Sequence, residues 1–569
     1  MNTLAQPGGP ARDLDRDTPV KFKRALTMEF NVADLVEAAV DRVPEREILV
    51  CGADRLTYAQ LDQRANRLAH YFQSLGLSRA DHIGIYGFNS SRWVEAMLAA
   101  YKIRAVPINV NYRYVEEELF YLFDNADIVA LVHDAQFCPR IAHVKPRLAQ
   151  LQHCIAIDDG SGQDGSQIGA VDYEQALLRS SPARDFGPRS GDDLYVLYTG
   201  GSTGKPKGVI WRQHDVIFTL GGGIDHMTKE PAENPQTLTN KISDYYLTMA
   251  PLAPLMHGAA QWAVLGPLFT GTKVVLWSGS FDPHAVWRMV EREKVNTISL
   301  TGDAMARPLI EALAQPGVSY DLSSLMVITS TAAIFSPSVK AQYLDRFPNV
   351  MLLDAVGSSE QGFTGMSTVT KESLAHSDTE RRGVRMNPGR DVTVFDEHFH
   401  RVAPGSGVIG RLARSGNVPL GYYKDPKKTA ETFVEIEGRR WAIPGDYATV
   451  EADGTIVVLG RGSVSINSGG EKIFPEEVEA ALKSHPAVFD ALVVGVPDER
   501  WGSRVAAIVQ PRPGQRPTLD DLAAHCRAHI ASYKIPRELH LVEQVRRSPS
   551  GKPDYPWALA LAAGDRPRS

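Results

Sequence analysis

Between Lys273 and Asp354 the chain alternates short β-rich apolar runs with amphipathic helical stretches, and this alternation narrows the possible folds more than any other feature. Strand-like runs at Lys273 to Trp277, Thr297 to Leu300, Leu325 to Ser330 and Met351 to Asp354 are separated by helical segments at Asp282 to Lys294, Ala304 to Leu313 and Ser336 to Arg346. Strands joined through helices pair in parallel by right-handed crossovers, so the pattern predicts a parallel sheet covered on both faces. Ligands of such sheets bind at the loops leaving the carboxyl ends of the strands. Chemistry is therefore expected in the loops after Tyr198, Ile328 and Leu353. An earlier helix is equally well marked. Thr57 and Gln60 form a capping box, Leu61, Ala65, Leu68, Ala69, Phe72 and Leu75 share one face, and Gly76 ends the run.

At 569 residues the chain exceeds what one core holds, about 250 to 300 residues. A second pattern begins after Gly460: a helix from Pro475 to Lys483, strands near Ala491 to Val496 and Val505 to Val509, a helix from Leu519 to Ile530, and a strand near Leu539 to Val542. The fold class expected is α/β. A large N-terminal domain of layered α/β with mostly parallel sheets covers 19–459, a Gly-rich hinge covers 460–470, and a small mobile α+β domain covers 471–569. Residues 1–18, rich in Gly, Pro, Arg and Asp and without the apolar centre of a signal peptide, are expected to form a disordered tail.

Apolar residues at 43% and charged residues at 22% are the usage of a soluble globular protein. A net charge of -6 argues against a nucleic-acid partner, since phosphate binding draws on an excess of Lys and Arg. Cys51, Cys138, Cys154 and Cys526 are scattered with no C-x-x-C pair, which speaks against a zinc site or redox dithiol and for free, buried thiols in a reducing cytoplasm. From Tyr245 to Thr272 no residue is formally charged. Pro251, Pro254 and Pro267, with Gly258, Gly266 and Gly271, would break a membrane-spanning helix, so a buried strand, an active-site loop and a buried helix are expected there and no transmembrane segment.

The densest chemical signal is the run from Tyr198 to Gly208, which follows the apolar stretch Leu194 to Leu197. Its glycines Gly200, Gly201, Gly204 and Gly208 let backbone approach a polyanion, Thr199, Ser202 and Thr203 add hydroxyl donors, and Lys205 and Lys207 add positive charge. Phosphate binding is the physical consequence. The run is not a Walker loop, because the positions that motif reserves for its first Gly and its final Ser or Thr hold Thr199 and Pro206.

At this point the sequence resembles the adenylate-forming superfamily of acyl-CoA synthetases, luciferases and peptide-synthetase adenylation domains, whose phosphate loop reads close to YTSGTTGxPKG. The later motifs of that family follow in order, and the resemblance runs from about Phe30 to about Ala558. Asn387 to Arg390 and the turn Gly421-Tyr422-Tyr423 sit where such enzymes have theirs. The resemblance implies ATP, Mg²⁺ and coenzyme A as reactants and cofactor. Ser330, Thr331 and Ala332, with Ala333, resemble the adenine-side loop. In Gly357-Ser358-Ser359-Glu360, Glu360 is implied as the carboxylate on the metal side of the ATP phosphates, while Val356 stands where the family has an adenine-stacking Tyr. Asp446 in Pro444-Gly445-Asp446 and Arg461 are implied at the ribose, an acceptor-only group paired with a fork of donors.

Ser548-Pro549-Ser550-Gly551-Lys552, preceded by Tyr533-Lys534-Ile535-Pro536, resembles the family's closing motif, so Lys552 is implied as a catalytic residue together with Glu360 and Thr199. Ser468, Gly469, Gly470, Glu471 and Lys472 resemble the loop that lines the thiol tunnel after the small domain rotates. The family commonly has Asp two residues after the hinge arginine; here Ser463 takes that place, and Gly462 beside it supplies backbone freedom. The acyl pocket implied by the same resemblance is bounded by His257, Gly258, Trp262, Thr301, Gly302 and Gly357. Small residues at Gly357, Gly302, Gly258 and Ala259 are expected to leave volume there, with Trp262 as an apolar wall.

The combination of Gly357 to Glu360, Ser463 and Ser550 to Tyr555 is similar to actinobacterial ligases for long acyl chains or steroid side-chain carboxylates. The activity implied is an ATP-dependent acid:CoA ligase that makes an acyl-adenylate and then a thioester. The rivals are an amino- or aryl-acid-activating adenylation enzyme and a non-catalytic nucleotide-binding relative, the latter made conceivable by Val356 and Ser463.

Overall fold

A computed structural model describes residues 28–199, 205–225, 228, 230–333, 335–375, 383–389, 391–468, 471–498, 502–548 and 551–564. The expected tail at 1–18 lies outside the described residues. The alternating region forms the sheet it predicts. Strands Glu47–Cys51, Lys273–Leu276, Thr248–Pro251, Thr297–Leu300, Val327–Ser330 and Met351–Ser358 lie side by side in that order, all parallel. Helices Pro283–Glu293, Gly302–Leu313 and Pro337–Arg346 are the crossovers, packed through Trp287, Leu309 and Tyr343. Asp282 caps the first of them, accepting from the backbone N–H groups of His284 and Ala285.

The same sheet reaches fifteen strands by adding an antiparallel half that the alternation does not announce. It begins where Gly362–Val369 folds back on Met351–Ser358 after a tight turn, and continues through Val384–Pro388, Ile456–Arg461, Asp446–Val450 and Gly410–Ser415. The tight turn at its start is too short for the crossover a parallel neighbour requires. A separate five-stranded sheet is wholly parallel, in the order Val106–Asn109, His82–Tyr86, Ile128–Asp134, His153–Ile157, Ala170–Asp172. Helix Tyr58–Ser74 packs between these layers. Its capping box is present, with Gln60 N–H donating to Thr57 Oγ1 at 3.2 Å and Thr57 N–H to Gln60 Oε1 at 2.9 Å.

Leu194–Thr199 and Lys207–Arg212 form an antiparallel hairpin extended by Gly421–Tyr422. At the described ends of the run from Tyr198 to Gly208, Tyr198 pairs with Gly208 and Thr199 with Lys207. The uncharged segment resolves into strand Thr248–Pro251 and helix Gly258–Thr270. Pro267 sits inside that helix rather than ending it, because Val264, Leu265, Leu268 and Phe269 anchor both sides of it in the core. No helix among the described residues is long and apolar enough to cross a membrane.

The chain after Gly460 has its own cores. Helices Pro475–Lys483 and Leu519–Arg527 cover one face of strands Val488–Asp498, Gly502–Pro511 and Glu538–Leu541, and helix Tyr555–Ala562 covers the other. Leu519–Arg527 stops short of the expected Ile530, where Cys526 C=O takes the N–H groups of His529 and Ile530. The small unit touches the large one through Arg113 Nη1 donating to Arg547 C=O at 3.0 Å, through Lys483 and Asp303, and through Arg512 and Glu311.

Candidate active site

A single cavity of about 1430 Å³ opens at the carboxyl ends of Thr297–Leu300 and Val327–Ser330, runs along Met351–Ser358, and is roofed by the small domain. Ligand sites of about 300 to 1000 Å³ hold one drug-sized molecule. This one has room for a nucleotide and a second group.

The region matched to adenine is built from Ser330, Thr331 and Ala332, all of which line the cavity. Ser330 Oγ accepts from Gly302 N–H at 3.0 Å, which ties the two loops together. Ala332 holds φ at +66°, a left-handed conformation unusual for a residue with a Cβ and of the sort found where a loop is shaped for a ligand. Val356 lies half-buried against the cluster of Met386 and Val394, and so presents an apolar wall. Met351–Ser358 runs on past Asp354, which places Gly357 and Ser358 on a strand and not in the loop expected after Leu353.

Asp446 and Arg461 face each other across an antiparallel pair, with Arg461 Nε donating to Asp446 Oδ1 at 3.1 Å. Glu360 accepts at one oxygen from Tyr422 OH at 3.0 Å; its other oxygen has no hydrogen bond among the described residues. No group of three or more His, Cys, Asp or Glu among the described residues could hold a metal ion. One carboxylate with an open oxygen does fit Mg²⁺, which keeps several waters and takes its remaining ligands from phosphate oxygens.

Lys552 enters from the small domain on a tight turn. Gly551 N–H donates to Ser548 C=O at 2.8 Å, Lys552 N–H donates to Ser548 Oγ at 3.1 Å, and Gly551 adopts φ +71°. A Cβ at Gly551 would stand 2.8 Å from Ala304 Cβ and 3.1 Å from Thr301 C=O, so glycine lets the turn seat on the start of helix Gly302–Leu313. The ammonium faces the open cavity. Desolvation in the cleft and the Arg461 guanidinium push its pKa below the ordinary lysine value, while Glu360 and Asp446 act in the opposite direction. Lys552, Arg461, Glu360 and Asp446 all line this one cavity.

His257 occupies the cap position of helix Gly258–Thr270, its Nε2 buried without a partner. Burial, reinforced by Lys552 and Arg113, pushes its pKa down to about 3, so the ring is neutral at any ordinary pH. His257, Gly258, Trp262, Thr301 and Gly357 all line the cavity, as do Tyr195, Leu197 and Trp211. Gly302 does not. It is buried at the start of its helix with its N–H bound to Ser330.

The expectation that these glycines leave room for substrate also needs correction. A Cβ at Gly258 would lie 2.4 Å from Leu197 Cδ2, and one at Gly357 would lie 2.5 Å from Gly362 C=O. Both glycines serve close packing. Among the small residues that line the cavity are Ala259 and Ala263, one turn apart on the same helix.

Other expected residues are placed elsewhere or fall outside the described set. Gly200, Gly201, Ser202, Thr203 and Gly204 lie outside it, as do Gly469, Gly470, Arg390 and Ser550. Thr199 ends its strand at the cavity wall. Lys207 pairs with Asp425 and Lys205 lies over the Tyr121 ring at 4.5 Å; neither lines the cavity in this arrangement. Ser468 is buried in a small hairpin pairing Ile466–Ser468 with Glu471–Ile473, away from the cavity. Gly462 and Ser463 form a short 3₁₀ turn directly after Arg461, with Gly462 N–H bound to Gly445 C=O at 3.0 Å.

Two supports escaped sequence reasoning. Asn109 holds Tyr198 from both sides, accepting from its N–H and donating to its C=O, each at 2.8 Å, and also donates to Met256 C=O at 2.7 Å. A lone Asn in the apolar run Val106 to Val110 was its signal. Tyr422, the partner of Glu360, lies 62 residues away in sequence and carried no signal of that pairing.

The fold and site define a two-domain enzyme that handles a nucleotide, and the comparisons specify which. The model of the AMP-binding enzyme family matches residues 36–423 and that of the AMP-binding enzyme C-terminal domain matches 477–552; the chain belongs to this family. It is 51% identical over 546 residues to a 3-oxocholest-4-en-26-oate–CoA ligase of Rhodococcus rhodochrous, covering 93% of this chain and 96% of that one. It is 52% identical over 535 residues to a medium/long-chain-fatty-acid–CoA/3-oxocholest-4-en-26-oate–CoA ligase of Mycolicibacterium smegmatis, again over 93% and 96%. Among solved structures, the anthranilate CoA ligase AuaEII in complex with anthranoyl-AMP superposes with a TM-score of 0.80 at 21% identity, covering 94% of this chain and 98% of that one. ATP-bound MatB from Rhodopseudomonas palustris gives 0.77 at 20% identity, over 94% and 99%. These two share the fold.

Proposed function

We propose that this chain is an AMP-forming acid:CoA ligase acting on medium- or long-chain fatty acids or on steroid side-chain carboxylates. The observation that carries the proposal is that Lys552 of the small domain lines one cavity with Glu360 and Asp446 of the large domain and Arg461 at the start of the hinge. In the first step a carboxylate oxygen of the acid attacks the α-phosphorus of ATP, the bond to the pyrophosphate oxygen breaks, and pyrophosphate leaves. Lys552 neutralises the negative charge gathering between carboxylate and phosphate. Asp446 takes the ribose hydroxyls while Arg461 holds it in place, and Ser330 to Ala332 receive the base. Glu360 would hold Mg²⁺ at the phosphates, where the ion would supply charge neutralisation for the leaving pyrophosphate.

In the second step the thiol of coenzyme A, losing its proton, attacks the acyl carbon, the carbon–oxygen bond to AMP breaks, and AMP departs. We assign that step to the hairpin at 468–472, reached after the small domain at 471–569 turns on the hinge at 460–470 relative to the large domain at 19–459. The apolar wall of Tyr195, Leu197, Trp211 and Trp262 supports a large hydrophobic acid, as do the substrates named for the two relatives. The buried free thiols Cys51, Cys138 and Cys154 support a cytoplasmic setting. The test is acid-dependent ATP–pyrophosphate exchange, followed by AMP release with coenzyme A, across octanoate, palmitate and a steroid side-chain acid. Absence of exchange with all three would sink the proposal.

A further inference from the structure

The seam between the domains holds buried charges that the proposed chemistry does not use. Lys483, the last residue of helix Pro475–Lys483, sets its ammonium 3.0 Å from Asp303 Oδ2 on helix Gly302–Leu313 of the large domain. Asp303 also accepts from Ser336 N–H at 2.8 Å and faces the Arg307 guanidinium at 3.7 Å. All three side chains are buried, with Lys483 at 3%, Arg307 at 4% and Asp303 at 6% exposure. Burial alone would push the Asp303 carboxyl up, but Lys483 and Arg307 outweigh it and hold it below the usual value.

The other ion pair across the seam, Arg512 with Glu311 at 2.9 Å, is about a third exposed and so contributes little. Asp303 and Lys483 form the buried crossing pair among the described residues. While the seam is closed, removing either partner leaves the other charge buried and unpaired, which penalises the closed arrangement. The pair is an ion contact, and Asp303 Oδ2 itself, with Glu476 Oε2, Glu479 Oε2, Arg307 Nε and Arg307 Nη2 around it, is buried without a hydrogen-bond partner. Unmet groups of this sort penalise the closed seam and would be relieved by hydration on opening. The seam is thus built to be held shut at one point. That point adjoins the seat of the Lys552 turn, because Gly551 rests on Thr301 and Ala304, the residues flanking Gly302 and Asp303.

We infer that the Asp303–Lys483 pair is the latch holding the small domain in the arrangement seen here, and that it favours adenylation by keeping Lys552 in the cavity. The inference rests on the reading of Lys552 as the adenylation lysine. Asp303 and Lys483 act as positioning residues: neither needs to touch the reacting atoms.

The test uses the full-length enzyme with Lys483→Met, which leaves Asp303 and Arg307 paired within the large domain, and with Lys483→Arg and Asp303→Asn. Three quantities are measured: acyl-AMP formed in a single turnover, thioester formed from supplied acyl-AMP, and the radius of gyration by small-angle scattering. For Lys483→Met, acyl-AMP formation is expected to fall at least tenfold, with thioester formation within twofold of wild type and a larger radius. Lys483→Arg should restore all three, and Asp303→Asn should follow Lys483→Met. Equal loss of both half-reactions, or full adenylation with an unchanged radius in both charge-removing variants, would overturn the latch. If wild type makes no acyl-AMP from any acid, the functional reading fails by itself, and the scattering comparison alone then decides the latch.

Discussion

Replacing Ala263 with Trp should convert the pocket from one that favours long or fused-ring acids to one that favours short ones. Ala263 lines the cavity one helical turn beyond Ala259, and its half-buried face has space in front of it. A Trp side chain carries about 150 to 250 Å² of surface. If it excludes substrate from an equal apolar area, the loss at about 25 cal/mol per Å² is on the order of 4 to 6 kcal/mol. Yielding of the wall would return part of this, so a net loss of about 3 kcal/mol, or about a hundredfold at ~1.4 kcal/mol per tenfold, is expected for palmitate and a steroid acid. Octanoate, the shortest of the three acids, should stay within about threefold if Ala263 faces the far end of the acyl chain. The assay is kcat/KM for AMP release on the three acids with wild type and Ala263→Trp. Equal losses on all three, or an unchanged ranking, would refute the argument that this helix face sets acid length. Gly357 is unsuited to the same experiment, because a side chain there meets Gly362 C=O before it reaches the cavity.

Lys552→Ala should lower single-turnover acyl-AMP formation by about a hundred- to a thousandfold, the effect of losing one preorganised charge at a developing anion, with thioester formation from supplied acyl-AMP much less affected; equal loss of both would count against the role. Tyr422→Phe removes the donor to Glu360 and should raise the Mg²⁺ concentration needed for half-maximal exchange several-fold with little change in the KM for the acid, measured by magnesium titration. Burial and the neighbouring Glu479 push the Glu476 carboxyl up to about 8, so between the ordinary 4.5 and about 8 it ionises in the unfolded chain but not in the folded one. Stability present below pH 4.5 is therefore lost progressively as pH rises to about 8, and Glu476→Gln should match wild type near pH 4.5 yet show the higher urea midpoint at pH 9. An unchanged midpoint difference between the two pH values would contradict this.

Much of the site was legible because its parts are local. The capping box at Thr57, the crossover helices after Lys273 and the turn at Ser548 to Lys552 each depend on residues a few positions apart, and periodicity or turn chemistry reveals such patterns directly. Asp446 and Arg461 are named through the family resemblance, and the fold sets them opposite each other on one antiparallel ribbon. The antiparallel half after Gly362 was not legible, because a short strand among turns carries no mark of which neighbour it will choose.

The amino-acid sequence by itself marked the crossover elements through short-range pattern and a phosphate-binding run at Tyr198 to Gly208, and its motifs, through their resemblance to a family, implied the class of chemistry. Tertiary structure alone decided who meets whom. Glu360 is oriented by Tyr422, Tyr198 by Asn109, and Asp303 by Lys483, over separations of 62, 89 and 180 residues that no local periodicity spans. It also decided what the glycines are for. Small size at Gly258 and Gly357 reads as open space along the chain, but in three dimensions the space is filled by Leu197 and the backbone of Gly362, while Ala259 and Ala263 line the cavity. Volume is a property of the packing around a residue, and a sequence records only the residue.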